Sequence, residues 1–237
     1  MQRFFIDSQI LMNETIQLSS EIAYQCRHVL RYKDQQLIQL IDPTKVIGTA
    51  RLSFFEKDVF AQIESIERIE ETDVQITLIQ ALIKKDKWEF VLQKSTECGV
   101  YQVVPLILQR NVVKWADKEI SSKLIRDQKI LKEAAEQSER VSIPSLHSPI
   151  KIKDLIHFKS DMNFVAYEDE NQNQLKHNLK PMKSYSIIIG PEGGFSEEEI
   201  KAINDLGFKS VGLGPRILRA ETASIIAINT IQIMVEP

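Results

Sequence analysis

Residues 186–200 read SIIIGPEGGFSEEEI, and this stretch decides the fold class. An apolar strand runs into a loop with three glycines, and Ser196 with Glu199 three residues later forms a capping box, which opens a helix. In open α/β sheets ligands bind beyond the carboxyl ends of the strands, where this loop lies, and glycines let the backbone approach them closely. The stretch therefore predicts a ligand-binding loop of an α/β sheet, with a tight turn that binds nothing as the alternative.

The acidic residues after the loop narrow the class of ligand. The loop lacks both the G-x-G-x-x-G spacing and the lysine of phosphate-binding loops. The helix opens with Glu197, Glu198 and Glu199, which repel an anion where the helix dipole would attract one. A cationic or neutral ligand, such as a sulfonium cofactor, is therefore favoured over a nucleotide phosphate.

A second glycine loop lies at residues 211–223, which read VGLGPRILRAETA. A short strand ends in glycines, and a polar loop with Arg216 and Arg219 leads into an apolar C-terminal helix. Either arginine is a surface charge by default, or it holds an RNA phosphate or the edge of a substrate base.

Around these loops, from Asp73 onward, strands alternate with helices. The predicted strands are Val74–Ile83, Val103–Leu108, Asn163–Tyr167, Tyr185–Ile189 and Lys209–Leu213. The predicted helices are Lys87–Cys98, Ser122–Arg140, Ser196–Leu206 and Glu221–Met234. This alternation implies a mostly parallel sheet covered on both faces. Gly99 and Gly207 follow two of the helices, where a left-handed cap residue is expected.

The first 70 residues follow a different pattern, short strands rich in Val, Ile and Phe. The predicted strands are Arg3–Ile6, Glu14–Leu18, Gln36–Ile41, Val46–Leu52 and Val59–Ile66, interrupted by one helix over Ser20–Arg31. Their spacing predicts a small β-barrel, and the acidic stretch Glu64–Glu71 predicts the boundary. The chain of 237 residues therefore divides into residues 1–71 and residues 72–237, within a prior of about 100–200 residues per domain.

Composition and charge limit the class of protein. Hydrophobic residues make up 43% and charged residues 27%, as in globular proteins. There is no apolar run long enough for a membrane span and no signal-peptide pattern, so a cytoplasmic protein without a membrane association is expected. Cys26 and Cys98 have no metal-ligand spacing, which predicts reduced thiols and no metal site.

The net charge of −3 argues against nucleic-acid binding when taken as a total. Its distribution changes this interpretation. Residues 71–160 carry 15 Lys and Arg against 12 Asp and Glu, whereas residues 161–237 carry 7 against 11. The basic middle suits RNA, and the acidic C-terminal part suits a cationic cofactor.

Four motifs, in order, resemble the bacterial ribosomal RNA small subunit methyltransferase E family, of the SPOUT class. They are RFF at residues 3–5, EAAEQSER at 133–140, IGPEGGFS at 189–196 and LGPRILRAETA at 213–223. The resemblance implies a PUA-like β-barrel that binds RNA at residues 1–71, and a SPOUT α/β trefoil-knot domain at 72–237. It also implies a homodimer that uses S-adenosylmethionine (SAM) to methylate N3 of a uridine in the decoding region of 16S rRNA, in maturation of the small ribosomal subunit.

Carried over residue by residue, the resemblance also assigns a cofactor site. The residues are Tyr167, Glu168, Ile189, Gly190, Pro191, Glu192, Gly193, Gly194, Leu213, Gly214, Leu218, Arg219 and Ala220. We expect Arg219, or secondly Arg110, to stabilise negative charge on the base. Glu192 or Glu221 is the candidate acceptor of the N3 proton, with a purely structural role as the alternative.

An RNA substrate requires a protein surface that binds it, because the free energy of binding must offset the cost of exposing the target base. The candidates are Arg3, His28, Arg31, Lys84, Lys85, Lys87, Lys94, Gln137 and Arg140, each with a solvated or packed role as its alternative. We expect Trp88 and Phe90 to belong to the core. Two other functions stay open, a SPOUT enzyme that acts on a ribose 2′-hydroxyl or another base, and an RNA-binding assembly factor without activity.

Overall fold

The computed structural model describes residues 1–69 and 74–235. The chain divides into two compact units, Met1–Glu71 with Ala135–Ser142, and Thr72–Ala134 with Ile143–Pro237. The predicted boundary between residues 71 and 72 lies outside the described residues. The segment Ala135–Ser142 groups with the first unit, although the sequence analysis placed it in the second.

Short strands dominate the first unit. Its elements are β1 (Arg3–Phe5), β2 (Thr15–Gln17), α1 (Ser20–Tyr24), β3 (Leu37–Ile41), β4 (Val46–Phe55) and β5 (Asp58–Arg68). The predicted helix over Ser20–Arg31 is shorter than expected, because α1 gives way to a π-helical turn at Gln25–Val29. Strand β5 continues into the acidic stretch Glu64–Glu71 as far as Arg68.

The strands of the first unit form one sheet in the order β1-β3-β4-β5-β2. Only β1 and β3 run parallel, and the other neighbours are antiparallel. Within residues 1–69 no pairing joins β1 to β2, so hydrogen bonds do not close the predicted barrel. Alternate residues of the sheet, with Ile22 and Cys26 of the helical segment, fill the core of this unit.

Two buried polar residues hold the first unit together. Asp42, in the turn between β3 and β4, accepts hydrogen bonds from the backbone nitrogens of Ile10 (3.1 Å), Thr44 (2.7 Å) and Val46 (3.0 Å). Burial raises the pKa of Asp42, but these hydrogen bonds outweigh it and leave the pKa below its ordinary value of 3.8. Arg3 is buried and donates to Gln39 Oε1 (2.7 Å) and to the carbonyl oxygen of Glu139.

The second unit alternates strands and helices. Its strands are β6 (Gln75–Ala81), β7 (Gln102–Leu106), β8 (Ser145–Leu146), β9 (Met162–Ala166), β10 (Ser184–Ile189) and β11 (Lys209–Val211). Its helices are α2 (Lys85–Glu97), α3 (Asp117–Gln137), α4 (Leu175–Asn178), α5 (Glu197–Asp205) and α6 (Ala220–Val235), and the last three residues of α3 group with the first unit. Strand β8, helix α4 and a 3-10 turn at Ile152–Phe158 were not predicted from the sequence, and α3 begins five residues before its predicted start.

The six strands form a parallel sheet in the order β11-β9-β10-β6-β7-β8. Side chains alternate between two buried clusters, so Ile187 and Ile189 of β10 join one cluster and Ile188 joins the other. Residues of α2 and α6 belong to the first cluster and residues of α5 to the second. The predicted parallel sheet with both faces covered is confirmed.

Helix ends follow the predicted capping residues. Ser196 Oγ accepts from Glu199 N (3.2 Å), and Glu199 Oε2 accepts from Ser196 N (2.9 Å). Gly99 and Gly207 follow α2 and α5 with φ of +88° and +87°. Among the helices of residues 1–69 and 74–235, none has the length and hydrophobicity that crossing a membrane requires.

Two aromatic predictions for α2 have different outcomes. Trp88 is buried, donates from Nε1 to Asp127 Oδ2 (2.7 Å), and meets the ring of Trp115 edge-on with centroids 5.5 Å apart. Phe90 is 44% exposed, so its placement in the core was wrong. With 3.6 residues per turn, position 90 lies nearly opposite Trp88 on the helix.

Cys26 and Cys98 are free thiols.

Candidate functional site

A cavity of about 470 Å³ lies beyond the carboxyl ends of β9, β10 and β11. Three segments line it, within residues 166–171, 189–194 and 212–223, together with Lys87 from the first turn of α2. In the sheet Ala166 lies beside both Ile189 and Val211, so the three strands end at one level. The two glycine loops predicted separately from the sequence therefore meet in one site.

The glycines bring neighbouring segments close together. A Cβ on Gly212 would collide with the carbonyl oxygen of Glu170, and Gly212 N donates to Asn173 O (2.8 Å). Gly194 has a φ of +67°, and a Cβ there would collide with the carboxylate of Glu168. Both positions need glycine, since the backbone approach at 212 and the left-handed conformation at 194 leave no room for a side chain.

The first glycine loop is held from outside the cavity. Arg110, after β7, donates from Nη1 to the carbonyl oxygens of Phe195 (2.9 Å) and Gly193 (3.4 Å). Glu199 Oε1 accepts from Gln109 N at 2.7 Å. Arg110 does not line the cavity, and its guanidinium is engaged by the loop backbone. This geometry favours a supporting role for Arg110 over the predicted contact with the base.

The two candidate carboxylates share one cation. Lys87 Nζ lies 3.5 Å from Glu192 Oε1 and 3.6 Å from Glu221 Oε2, and all three residues belong to the second unit. Glu192 follows β10, and Glu221 opens α6. Both carboxylates are thus ion-paired to a lysine that lines the cavity, and Glu192 also lines it.

An apolar side chain between two arginines forms the outer rim of the cavity. Ile217 is 87% exposed, and Arg216 and Arg219 on either side also line the cavity. Within the described part of the chain, neither guanidinium makes a hydrogen bond or an ion pair. Both are therefore available to an anionic or electron-rich partner.

Acidic residues cover the side of the cavity formed after β9. Glu168 and Glu170 line it. A hydrogen bond to Asp169, partial burial and the neighbouring carboxylates raise the pKa of Tyr167 above its ordinary value of 10.0. Tyr167 is therefore protonated at neutral pH. No cluster of three or more His, Cys, Asp or Glu residues suited to a metal ion occurs within residues 1–69 and 74–235.

The residues expected to hold a cofactor come together with one exception. All of them line the cavity except Gly193, which packs against Arg110 instead. Four other residues that line the cavity were not predicted for the cofactor site: Lys87, Glu170, Asn171 and Gly212. Gly212 could have been found from its place in the second loop, whereas Glu170 and Asn171 lie in a polar tract without a recognisable pattern.

The residues expected to contact RNA separate into exposed and engaged groups. His28 and Arg31 in the first unit and Lys84, Lys85 and Gln137 are exposed. Arg3 is buried and already bonded, so its predicted contact with RNA is not supported. Lys94 pairs with Glu97 at 2.8 Å, Arg140 is half-buried with a partner inside the protein, and Lys87 lies in the cavity.

Comparison with known proteins places this chain in a family. Residues 70–232 match the model of the RNA methyltransferase domain family. A protein from Bacillus subtilis named ribosomal RNA small subunit methyltransferase E is 31% identical, with 100% of this chain and 98% of that protein covered. A protein of the same name from Rickettsia conorii is 31% identical over 98% of this chain and 95% of its own length.

Solved structures agree with the sequence relatives. A Legionella pneumophila protein, solved with the bound cofactor SAM, has a TM-score of 0.90 and 31% identity, with 98% of this chain and 96% of that chain covered. The ribosomal RNA small subunit methyltransferase E of Neisseria gonorrhoeae, bound to S-adenosyl methionine, has a TM-score of 0.89 and 30% identity, with 99% of this chain and 98% of that chain covered. The chain belongs to the ribosomal RNA small subunit methyltransferase E family of RNA methyltransferases.

Proposed function

We propose that the protein uses SAM to methylate N3 of a uridine in the decoding region of 16S rRNA. The observation that carries the proposal is the single cavity built by both glycine loops and the segment after β9. Family membership supports the methyl transfer and the ribosomal RNA substrate. The acceptor atom is the finer part of the proposal, and it comes from the motif resemblance.

The cavity suits SAM in size and in charge. A volume of about 470 Å³ lies within the usual range of roughly 300–1,000 Å³ for small-molecule sites. Lys87, Arg216 and Arg219 line the cavity beside Glu168, Glu170 and Glu192, and Lys87 pairs with Glu192. The carboxylates of Glu168 and Glu170, which make no ion pair in the described part of the chain, are the groups that favour a sulfonium cation. We propose the cavity-lining members of the predicted set as the cofactor site, with the backbone of residues 189–194 and 212–214 approaching the cofactor closely.

The residues of the chain then have three tasks. When bound, SAM supplies a methyl group from its sulfonium and takes back the C–S electron pair, which leaves S-adenosylhomocysteine (SAH). Uridine N3 offers its lone pair only after it has lost its proton. The protein must hold the base in line, accept that proton and stabilise the negative charge that builds on the base.

Arg219 is our candidate for stabilising that charge. It lines the cavity and, in the described part of the chain, its guanidinium has no partner of its own. Glu192 and Glu221 are our candidate proton acceptors: Glu192 lines the cavity, and Glu221 is joined to it through Lys87, whose Nζ lies 3.5 Å from Glu192 Oε1 and 3.6 Å from Glu221 Oε2. We propose a positioning role for Arg110, through the loop carbonyls that it binds.

Each unit also offers RNA contacts of its own. In the first unit we propose His28, whose ring lies 4.8 Å from that of the exposed Tyr24, and Arg31. In the second unit we propose Lys84 and Lys85 before and within the first turn of α2, together with Arg216 at the cavity rim. Phosphate contacts of this kind would position the RNA without reading its sequence.

The finer description of the fold belongs to the same proposal. We propose a PUA-like first unit and a trefoil knot in the second. Contacts of the loop after β9 with the segment that leads into α6 support the knot: Leu175 N donates to Gly212 O (3.0 Å), and Gly214 N donates to Gln174 Oε1 (2.8 Å). A homodimer and a cytoplasmic location follow from the family resemblance and from the ribosomal substrate.

Reverse transcription of 16S rRNA tests the position and the chemistry together. N3 methylation blocks the pairing edge of uridine, so reverse transcriptase should stop at the target in wild-type rRNA and read through in rRNA from a deletion strain. The wild-type gene should restore the stop, and an Arg219→Ala gene should not. A matched Lys201→Ala variant, changed at an exposed lysine of α5 away from the cavity, should restore it.

Two results would refute the proposal. Calorimetry that shows no binding of SAM to the purified protein would exclude the cofactor and favour an assembly factor without activity. SAM binding with an unchanged stop pattern, but a lost ribose or base methyl elsewhere in the rRNA, would assign a different acceptor to the same cavity.

A further inference from the structure

The structure assigns to Lys87 a role that neither its charge nor its sequence position suggests: we propose that it is a positioning residue for the cavity. Its ammonium holds Glu192 of the first glycine loop and Glu221, which follows the second, in one cluster. The inference rests on the proposed function, because the ligand that reports on it is SAM.

The contacts of Lys87 connect three elements. Its Nζ lies 3.5 Å from Glu192 Oε1 and 3.6 Å from Glu221 Oε2. Only 24% of the Lys87 side chain, 20% of the Glu192 side chain and 14% of the Glu221 side chain are exposed. Glu192 is held a second time by the backbone nitrogen of Lys84 (3.4 Å). The first turn of α2 therefore ties together the segments that follow β10 and β11.

The ammonium of Lys87 is the main positive charge that compensates the buried carboxylate of Glu221. Glu221 Oε2 is buried without a hydrogen bond, and a buried carboxylate without a compensating charge is costly. The other charged groups lining the cavity are Glu168, Glu170, Arg216 and Arg219. Without the Lys87 ammonium, the two carboxylates would repel each other, and the loops that carry them would separate.

A positioning role and a purely electrostatic role predict different ligand behaviour. If Lys87 orders the loops, its loss weakens the binding of SAM, which carries a sulfonium charge, and of SAH, which does not, by the same factor. If Lys87 acts only through its charge, its loss removes the repulsion between its ammonium and the sulfonium. The binding of SAM then becomes tighter, and the binding of SAH does not change. The ratio of the two dissociation constants therefore separates the roles.

Calorimetry with both ligands on the full-length protein makes this test. We expect Lys87→Met to weaken SAM and SAH by the same factor, about tenfold, within the usual 5–150-fold range of energetic coupling. Lys87→Arg keeps the charge and should recover most of the affinity. Lys123→Met is the matched control, since Lys123 pairs with Glu119 at 3.6 Å on α3, away from the cavity. This variant should bind both ligands with the affinity of the wild type.

A double variant keeps the test decisive if Lys87→Met lowers stability. Adding Glu221→Gln removes the repulsion between the carboxylates and should restore part of the affinity for both ligands. The inference is overturned if Lys87→Met leaves both dissociation constants within twofold of the wild type, or if SAM alone tightens. A wild-type protein that fails to bind SAM contradicts the proposed function instead, so the two failures are distinguishable.

Discussion

Removal of the Glu199 carboxylate should destabilise the second unit far more than removal of its exposed neighbours. Glu199 is buried in the first turn of α5, and its two oxygens accept from Ser196 N (2.9 Å) and Gln109 N (2.7 Å). It therefore closes the start of the helix and also fixes the segment that carries Arg110. In Glu199→Ala both backbone donors lose their partner.

The contacts give the size of the effect. A hydrogen bond to a charged group contributes about 1.5–3 kcal/mol, so the loss of two should cost about 3–6 kcal/mol. This is a large part of a typical unfolding free energy of roughly 5–15 kcal/mol. For a protein of this size it corresponds to a decrease in melting temperature of roughly 10 °C. Glu199→Gln keeps one acceptor oxygen and should lie about halfway.

Differential scanning calorimetry measures the effect against a matched control. Glu197→Ala removes an exposed carboxylate from the same helical turn and should cost only the dipole interaction, about 0.3–1 kcal/mol. If Glu199→Ala and Glu197→Ala melt within about 2 °C of each other, the buried carboxylate does not hold this turn and the argument is wrong.

Three further predictions concern single residues in each unit. Asp42→Ala should lower the unfolding free energy of the first unit by about 2–4 kcal/mol, measured by urea denaturation, since it leaves buried backbone donors unpaired. Because the folded-state pKa of Asp42 is lowered, the carboxylate stabilises the fold fully above pH 3.8, and this stabilisation is lost as the pH falls through the folded-state pKa. A wild type and an Asp42→Asn variant that lose stability in parallel below pH 4 would contradict this assignment. Gly212→Ala forces a Cβ onto a backbone carbonyl and should weaken SAM binding at least tenfold by calorimetry, whereas unchanged affinity would show that the two segments can separate freely. Cys26 is fully buried with its thiol pKa raised to about 11 by burial, so iodoacetamide at pH 8 should modify it only after unfolding, as mass spectrometry can verify.

The sequence predicted the elements of the site better than the partners of its side chains. The glycine loops, the capping box at Ser196 and the left-handed Gly99 all follow from local rules on backbone conformation. Lys87 was predicted to contact RNA because it lies in the basic middle of the chain, with a solvated lysine as the alternative. Its two carboxylate partners lie more than 100 residues away in the sequence, and no local pattern connects them.

Errors in the fold have a similar origin. The extent of α1 depended on where Cys26 packs, because the π-helical turn at Gln25–Val29 places that thiol in the core. Hydrophobic spacing alone does not distinguish this turn from continued α-helix. Phe90 was predicted to lie in the core, although its position on α2 lies nearly opposite the buried Trp88. In each case a tertiary contact, which the local sequence does not contain, decided the outcome.

The pairing of Trp88 with Trp115 gives the protein an intrinsic optical reporter. The chain has two tryptophans, and both belong to the second unit. Trp88 is adjacent in sequence to Lys87, and its indole is fixed by Asp127. Tryptophan emission therefore follows the unit that contains the cavity and is blind to the first unit. Combined with far-ultraviolet circular dichroism, which detects both, it allows the unfolding of each unit to be followed separately without a label.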